Sequence, residues 1–269
     1  MKQSIQSLRR SVFSKDWPLD EEITAVASTL PTHAFLENPS GQYAYIYLTQ
    51  FVKALSEQHF GRPFGEMNVL DWGCGKGHVS KILRGLAPKQ VDSCDILSSS
   101  DDSTFGQETP IIERFGIQVK PLEHEYILPY EDDAFDIVLS VGVLEHVPND
   151  QASLGEIVRV LKPGGLFFCF FLPTTLSWTQ KVAHMRGNDY HDRLYDEKMV
   201  KRMMGTAGLK VLDLWYRQML PKNTVHYPNF RLFEHLDQFL TEQTPLRYFA
   251  TNVEFVCEKE LSSLGDRRN

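Results

Sequence analysis

Two acidic residues and three glycines lie close together in the chain, at a spacing that favours ligand binding. Asp71 is followed by Gly73, Gly75 and Gly77, and a second acid, Asp95, ends the next apolar segment. Glycine has no Cβ, so the backbone can turn sharply there and approach a bound molecule closely. A strand that leads into a glycine turn and then a helix is typical of nucleotide-type sites in open α/β sheets. The spacing predicts such a site, with two carboxylates beside it.

The glycine spacing argues against two common phosphate-binding sequences. D-x-G-x-G-x-G differs from the dinucleotide fingerprint G-x-G-x-x-G and from the phosphate loop G-x-x-x-x-G-K-[ST]. No Ser or Thr follows Lys76 that could hold a magnesium ion. A loop that grips phosphate groups is therefore not expected.

Five further segments extend the pattern downstream of the glycine turn. They are VDSCDI at 91–96, LPY at 128–130, FDIVLS at 135–140, LEHV at 144–147 and RVLKPGG at 159–165. Together with the glycine turn, they resemble the class I S-adenosylmethionine-dependent methyltransferases, in particular the small-molecule enzymes of ubiquinone and menaquinone biosynthesis. The resemblance covers roughly residues 40–215. It implies an enzyme that moves a methyl group from S-adenosylmethionine to a small-molecule acceptor.

The resemblance also implies which residues contact the cofactor. Asp71 and the glycine turn would face the amino-acid end of S-adenosylmethionine, and Asp95 would accept the ribose hydroxyls. The family's acidic residue near the adenine is replaced here by His124, so Glu125 and Tyr126 are kept as candidates. The predicted cofactor-binding residues are Asp71, Trp72, Gly73, Cys74, Gly75, Asp95, Ile96, Glu125, Tyr126, Ser140 and Val141.

Two histidines are candidates for proton transfer. Methyl transfer needs a general base only if the acceptor must lose a proton, and a histidine titrates near neutral pH. His146 follows the fourth predicted strand, and His191 lies in a cluster of polar and aromatic residues at 190–195. The alternative is that Glu145 and His146 order the loop or are buried against the following helix. Some relatives bind a metal through Glu-x-x-Glu-His, but Gly142 stands at the first Glu position, so no metal is predicted.

Three residues outside the matched segments are candidates for acceptor binding. Tyr190 and Arg193 belong to the cluster at 190–195, where an arginine could grip a carboxylate or phosphate. His226 lies in a later segment with the composition of a lid. The alternatives are a capped loop for the first cluster and a solvated surface loop for the second.

Strands and helices must alternate to position these residues. Strands are expected near 67–71, 91–95, 117–122, 135–141, 166–172, 209–216 and 252–258. Helices are expected near 43–60, 79–86, 150–161, 196–207 and 230–240. This alternation predicts an α/β fold with a parallel sheet covered on both faces. By resemblance it is a Rossmann-like, seven-stranded, mostly parallel sheet whose last strand is antiparallel.

The expected domain organisation has one main unit and two insertions. Residues 1–60 are predicted to form a helical arm or cap, and residues 61–269 the methyltransferase domain. The insertions lie after strand 5, at 173–194, and between strands 6 and 7, at 219–250. Both are rich in Trp, Tyr, Phe and His, which favours ordered substrate walls or a homodimer surface over disorder.

The composition argues against some classes of binding partner and indicates the cellular compartment. The chain has 269 residues and a formal net charge of −7, which argues against nucleic acid or an anionic membrane as a partner. No apolar run is long enough to span a bilayer, so stable membrane insertion is not expected. The four cysteines lack metal-binding spacing and fit reduced thiols in a cytoplasmic protein. The expected acceptor is a small, lipid-linked or sugar-linked molecule, methylated at oxygen.

Two alternative functions are weighed against this one. The first is a non-catalytic scaffold that keeps the fold and binds a partner protein through residues 219–250. The second is methyl transfer to nitrogen or carbon, or to a macromolecule. The fourth strand ends in Ser140-Val141-Gly142-Val143 rather than in an Asn-Pro-Pro-Tyr-like segment. This ending makes methylation of a base or amide nitrogen the weaker alternative.

Overall fold

The computed structural model describes residues 3–29, 34–96, 109–187, 193–222 and 225–260. Tyr190 and His191, which the sequence analysis names as substrate and catalytic candidates, lie outside these ranges.

The strands form one seven-stranded sheet in the order β3-β2-β1-β4-β5-β7-β6. They are β1 (Asn68–Trp72), β2 (Gln90–Ile96), β3 (Val119–Leu122), β4 (Phe135–Val141), β5 (Leu161–Pro173), β6 (Leu209–Arg217) and β7 (Asn252–Lys259). Strands β1 to β5 pair in parallel, and β7 is antiparallel to both of its neighbours. The predicted fold class, including the antiparallel last strand, is confirmed.

The helices precede and connect these strands. They are α1 (Ile5–Phe13), α2 (Glu21–Thr29), α3 (Ala34–Glu37), α4 (Pro39–Phe60), α5 (His78–Gly85), α6 (Pro110–Arg114), α7 (Asp150–Val160), α8 (Trp178–Met185), α9 (Glu197–Ala207) and α10 (Phe230–Gln243). Short 3₁₀ helices span Phe64–Glu66 and Pro245–Phe249. Helix α8 lies in the first predicted insertion and α10 in the second, so the described part of each insertion contains a helix.

The two faces of the sheet bury separate apolar cores. Alternate residues of β4 and β5 point to opposite faces, as the pleat requires. Ile137 and Phe168 pack with residues of α1, α2, α4 and α5 in one core. Val138 and Phe167 pack with residues of α7 and α9 in the other. The N-terminal helices therefore share a core with the sheet, and the boundary at residue 60 stays a prediction.

Helix α4 begins and ends at residues whose types favour helix boundaries. The Asn38 side chain accepts a hydrogen bond from the Ser40 N–H, and Pro39 occupies the first turn. The helix ends at Gly61, whose φ of +66° favours glycine. The Asn38 amide also donates to the carbonyls of Lys222 and Val225, each at 2.7 Å. Helix α4 is thereby tied to the segment that leads into α10.

Strand β5 is longer than the sequence indicates. The Pro163-Gly164-Gly165 segment predicts a break before a strand at 166–172, but β5 begins at Leu161, which pairs with Phe135. The register of the β4–β5 pairing shifts between Phe135 and Ile137, which accommodates the extra residues of β5.

Among the described helices, none combines the length and apolar character needed to cross a membrane.

Candidate functional site

The glycine turn connects β1 to α5 at the carboxyl edge of the sheet. Gly73 and Gly75 have φ values of +69° and +52°, in the left-handed region that favours glycine. The N–H groups of Gly73 and Cys74 both donate to the carbonyl of Cys94, at 2.9 and 3.1 Å. The turn is therefore fixed to the end of β2.

Two of the glycines are required by close packing. A Cβ placed on Gly73 would lie 2.5 Å from the Val143 Cγ2, so glycine lets the turn touch the loop after β4. A Cβ on Gly77 would lie 2.6 Å from the Ile112 Cγ1. Glycine at position 77 therefore lets the start of α5 pack closely against Ile112 of α6.

Asp95 links the end of β2 to the glycine turn. Its Oδ2 accepts a hydrogen bond from the Gly75 N–H at 2.5 Å, and its Oδ1 accepts one from the Ile96 N–H at 2.7 Å. The side chain is buried, and burial raises the pKa of this carboxyl above its usual value despite the two hydrogen bonds. The structure therefore brings Asp95 and the glycine turn together, as the sequence spacing predicts.

Asp71 is buried at the end of β1 and bonded to the helix that follows. The Ser80 hydroxyl donates to its Oδ2 at 2.6 Å, and the Ser80 and Ser93 hydroxyls lie 2.8 Å apart. Burial raises the pKa of Asp71 to about 7, and the nearby charge of Asp95 adds to the shift. Sequence reasoning missed Ser80 and Ser93, because α5 must lie across the end of β1 for Ser80 to reach Asp71, and Ser93 contacts Ser80 from β2.

The other residues predicted around the turn differ in exposure. Trp72 and Cys74 are buried, and burial raises the pKa of the Cys74 thiol. Ile96 is exposed beyond Asp95. A ligand held against the turn would therefore meet Trp72 and Cys74 through their backbone and Ile96 through its side chain.

Strand β4 ends beside the turn, since Trp72 of β1 is in register with Ser140. The Ser140 side chain is fully buried and Val141 is partly buried. The chain then turns at Gly142, whose φ is +66° and whose N–H donates to the Phe170 carbonyl at 3.0 Å. These positions are compatible with the prediction that Ser140 and Val141 contact a cofactor through their backbone.

Glu145 is a buried carboxylate in the loop after β4. Its Oε2 has no hydrogen-bond partner within the described part of the chain. Burial raises its pKa to about 8, so the carboxyl holds a proton well into the neutral range. Sequence reasoning left Glu145 either to order the loop or to pack against the following helix. Its neighbours Cys169 and Tyr195 could not be predicted from the local sequence, because they come from distant elements.

His146 lies next to Glu145 at the surface. Its Nε2 is 3.9 Å from the Glu145 Oε1, and its side chain is 59% exposed. The His146 N–H donates to the Val143 carbonyl at 2.9 Å, which holds the loop in place. The pair thus places a solvent-accessible imidazole against a buried carboxyl at the carboxyl edge of β4.

The loop after β3 carries the candidates for adenine contact. Glu125 is exposed and Tyr126 is partly buried. The rings of His124 and Tyr126 lie 4.4 Å apart between centroids, in an edge-to-face arrangement. Because β3 pairs in parallel with β2, this loop lies at the same carboxyl edge of the sheet as Asp95. All three candidates stay open.

The predicted acceptor-binding residues are only partly brought to this edge. The Arg193 guanidinium donates to the Pro148 carbonyl at 2.9 Å, which places it beside the loop that holds His146. His226 is exposed, in the segment that Asn38 joins to α4 through the Val225 carbonyl.

Two aromatic contacts hold helix α4 against the carboxyl edge of the sheet. The Tyr45 ring lies 4.3 Å from the His78 ring, at the first residue of α5, and 5.4 Å from the Phe171 ring. Phe171 has a φ of +62° and lies within a register shift between β5 and β7. The local sequence could not predict these ring contacts, because the three rings belong to α4, α5 and β5.

Comparison with known proteins agrees with this geometry. The profile of the family described as "Methyltransferase domain" matches residues 70–169. The ubiquinone biosynthesis O-methyltransferase of Paramagnetospirillum magneticum is 29% identical over 196 residues, which cover 61% of this chain and 75% of that protein. The corresponding enzyme of Maricaulis maris is 32% identical over 131 residues, 46% of this chain and 48% of that protein. The second match thus spans about half of that relative.

A solved structure shows the same fold. The CurJ carbon methyltransferase superposes with a TM-score of 0.54 at 14% identity, covering 84% of this chain and 57% of that one. At this identity the match concerns the fold alone.

Together, the sheet order, the glycine turn and these matches define a class I S-adenosylmethionine-dependent methyltransferase. Within that class, the chain is similar to the O-methyltransferases of ubiquinone biosynthesis, which supports a small-molecule acceptor, and its cofactor is S-adenosylmethionine. The suspected family and cofactor are confirmed.

Proposed function

We propose that this enzyme methylates a hydroxyl group of a small, lipid-linked or sugar-linked acceptor, with His146 as the proton acceptor and Glu145 as its buried neighbour. The observation that carries the proposal is the exposed His146 imidazole, 3.9 Å from Oε1 of the buried Glu145 in the loop after β4, while the Glu145 Oε2 has no hydrogen-bond partner among the described residues. We also propose that the enzyme acts in the cytoplasm, which its four free, buried cysteines support.

The acids at the glycine turn fit a positively charged cofactor. Asp71 and Asp95 are both buried, both have raised pKa values, and neither forms an ion pair with a described Lys or Arg. A cationic ligand beside them would favour their ionised forms, because an opposite charge lowers the pKa of a carboxyl. S-adenosylmethionine carries an ammonium group and supplies an electrophilic methyl group on a positively charged sulfur.

In this proposal each residue at the turn has a separate role. The Asp95 carboxylate, already oriented by two backbone N–H groups, accepts the hydroxyls of the ribose with its remaining lone pairs. Asp71, held by Ser80, provides negative charge beneath the amino-acid end. Glu125 and Tyr126 line the adenine side. The backbone of Gly73 and Gly75 supplies the close approach.

The proton of the acceptor hydroxyl would pass to His146. The imidazole is accessible, so it can reach an acceptor that arrives from solvent. Protonation of His146 creates a positive charge that the ionised Glu145 would stabilise at short range. Glu145 therefore has to lose its own proton first, and activity should rise with pH toward about 8. The names of the relatives, which specify O-methylation, support oxygen as the attacking atom.

The test replaces His146 with asparagine, which keeps the polarity and approximate size of the side chain. Methyl transfer from radiolabelled S-adenosylmethionine to a metabolite extract is measured, and the extract is then separated into aqueous and organic phases. We expect kcat to fall by about 10²–10⁴-fold, with the dissociation constant for S-adenosylmethionine unchanged in calorimetry. Label in the organic phase indicates a lipid-linked acceptor, and label in the aqueous phase a sugar-linked or other small one.

The control is His59→Asn, at the end of α4 near the Gly164 carbonyl and away from the carboxyl edge. It should leave kcat unchanged. Undiminished turnover by His146→Asn would contradict the role of this histidine. Failure of the unaltered enzyme to bind either S-adenosylmethionine or S-adenosylhomocysteine would remove the basis for the proposal.

A further inference from the structure

Residues 193–195 lie between α8 and α9, and their backbone extends the sheet beyond the end of β5. The Tyr195 N–H donates to the Pro173 carbonyl at 2.9 Å, and the Tyr195 carbonyl accepts from the Thr175 N–H at 3.1 Å. This pairing forms an isolated parallel bridge. The next residue, Asp196, caps the start of α9 with its side chain. Tyr195 is therefore held on both sides by regular structure.

The same segment contacts the loop after β4 at two points. The Tyr195 hydroxyl donates to the Leu144 carbonyl at 3.4 Å, and the Arg193 guanidinium donates to the Pro148 carbonyl at 2.9 Å. The glutamate and histidine that carry the proposed function lie between these two carbonyls in the chain. Both ends of the stretch that holds them are thus attached to the segment before α9.

The Tyr195 side chain is buried in the core that β4 and β5 share with α7 and α9. It is 2% exposed and belongs to the same apolar cluster as Leu144 and Val147, the residues on either side of the glutamate and histidine. Burial raises the pKa of Tyr195 to about 12, and the nearby charge of Glu145 adds to the shift. The hydroxyl therefore keeps its proton throughout the neutral range and stays a hydrogen-bond donor.

His146 depends on its loop for a defined position. Its side chain is 59% exposed, so the loop backbone, rather than a surrounding core, determines where the imidazole lies. A general base must lie within hydrogen-bond distance of the proton that it removes. A displacement of about 1 Å can lower a rate about 100-fold, even when its cause is remote from the reacting atoms. A contact that fixes the loop can therefore act on the reaction without touching the acceptor.

We propose that Tyr195 is a positioning residue for methyl transfer, which holds Glu145 and His146 in their reactive position through the Leu144 carbonyl. The tyrosine is buried, so it acts through the loop and not on the acceptor. The inference rests on the proposed function, because it assumes that His146 takes the proton of the acceptor. It gives the segment between α8 and α9 a role in the reaction that is separate from acceptor binding.

The test compares Tyr195→Phe with Tyr43→Phe. Both tyrosines are buried, and the Tyr43 hydroxyl also donates to a backbone carbonyl, that of Lys15 at 3.0 Å, between α4 and the segment after α1. Methyl transfer from radiolabelled S-adenosylmethionine is measured over a dilution series of metabolite extract. We expect Tyr195→Phe to lower the rate at saturating extract about two- to tenfold, the range for loss of one neutral hydrogen bond. The extract concentration that gives half the maximal rate and the affinity for S-adenosylmethionine should not change. Tyr43→Phe should change none of the three.

A double variant shows whether Tyr195 acts through His146. Tyr195→Phe combined with His146→Asn should be no slower than His146→Asn alone, because the hydroxyl then supports a group that is already absent. Hydrogen exchange of peptides that cover residues 142–149 should be faster in Tyr195→Phe than in the unaltered chain and in Tyr43→Phe. Circular dichroism verifies that each variant is folded.

The outcomes separate the positioning role from the proposed function. Full turnover by Tyr195→Phe, with turnover by His146→Asn impaired, would overturn the positioning role and leave the proposed function standing. Additive losses in the double variant would also overturn it, since Tyr195 would then act independently of His146. Undiminished turnover by His146→Asn would contradict the proposed function and the positioning role together.

Discussion

The carboxyl edge of the sheet buries several acidic side chains, and so does the inner face of α10. The two regions differ in the groups that stabilise these carboxylates. On α10, Glu234 and Asp237 lie beside Lys222, which holds them in place. At the carboxyl edge, Asp71 and Asp95 receive hydrogen bonds from hydroxyl and backbone N–H groups, without an ion pair to a described Lys or Arg. In the first region a lysine of the chain balances the buried acids, whereas in the second no described lysine or arginine does so.

We propose that this difference separates residues that stabilise the fold from residues that bind the cofactor. Breaking a buried ion pair leaves an uncompensated charge, so its loss is costly to stability. Removing a buried carboxylate that lacks a cation relieves a desolvation penalty and costs only its hydrogen bonds. The two regions should therefore respond to mutation in opposite ways, one in stability and the other in cofactor binding.

The largest effect is expected for Lys222→Met, which removes the cation shared by Glu234 and Asp237. The free energy of unfolding should fall by about 3–5 kcal/mol, because two buried carboxylates lose their partner. Urea denaturation measures this change. Lys201→Met is the control, since its pair with Glu197 is largely exposed and such pairs contribute about 0–1 kcal/mol. A drop no larger than that of the control would show that the α10 pairing is not structural.

A smaller effect in free energy, on binding rather than stability, is expected for Asp95→Ala. The affinity for S-adenosylmethionine should fall about 100-fold, because charge-assisted hydrogen bonds to two ribose hydroxyls are lost. Calorimetric titration measures this, and urea denaturation should show at most a modest change in stability. Asp92→Ala on the same strand is the matched control, since Asp92 accepts its hydrogen bond from the nearby Gln90 side chain. Equal affinities in the two variants would mean that the ribose role belongs elsewhere.

The third effect, the smallest when it is expressed per pH unit, concerns the pH dependence of stability through Glu145. Its pKa is about 8 in the folded protein, against about 4.3 for an unperturbed Glu in the unfolded chain. Between these values the folded state holds one proton more than the unfolded state, so the free energy of unfolding falls as pH rises, by up to about 1.4 kcal/mol per unit. Urea denaturation without cofactor between pH 5 and 8 should show a shallower slope for Glu145→Gln.

Glu156→Gln provides the control for this slope. A side-chain hydrogen bond from Arg159 lowers the pKa of Glu156, so this group is ionised throughout the same pH range in both states. Its replacement should leave the slope between pH 5 and 8 unchanged. If the two variants behave alike, the burial of Glu145 does not govern its protonation, and the expected rise in activity toward pH 8 loses its basis.

Much of the candidate site at the carboxyl edge of the sheet could be predicted from the sequence, because its residues lie close together in the chain. Asp71, Gly73 and Gly75 lie in one strand-turn-helix segment, and Asp95 lies at the end of the next strand, one residue before its last. Parallel pairing of adjacent strands then brings these residues together without information from the rest of the chain. Ser80 escaped prediction because its contact with Asp71 requires α5 to lie across the end of β1.

Helix α10 shows the limit of that reasoning. Its apolar spacing predicts a helix near residues 230–240, and a helix is present at Phe230–Gln243. The same spacing, by the ordinary rule, would place Leu232, Leu236 and Phe239 in the core. They are exposed instead, because Lys222 and Arg9 offer partners to the opposite face.

By itself, the sequence determined the order of the strands and helices along the chain, the glycine turn with its two acids, and the cofactor class. Each of these depends on residues near one another in the chain or on the alternation of short segments. Tertiary structure alone decided that Glu145 is buried beside an exposed His146, and which face of α10 meets solvent. Both outcomes depend on charges and side chains that come from distant segments, and burial acts on a carboxyl only once those segments have packed around it.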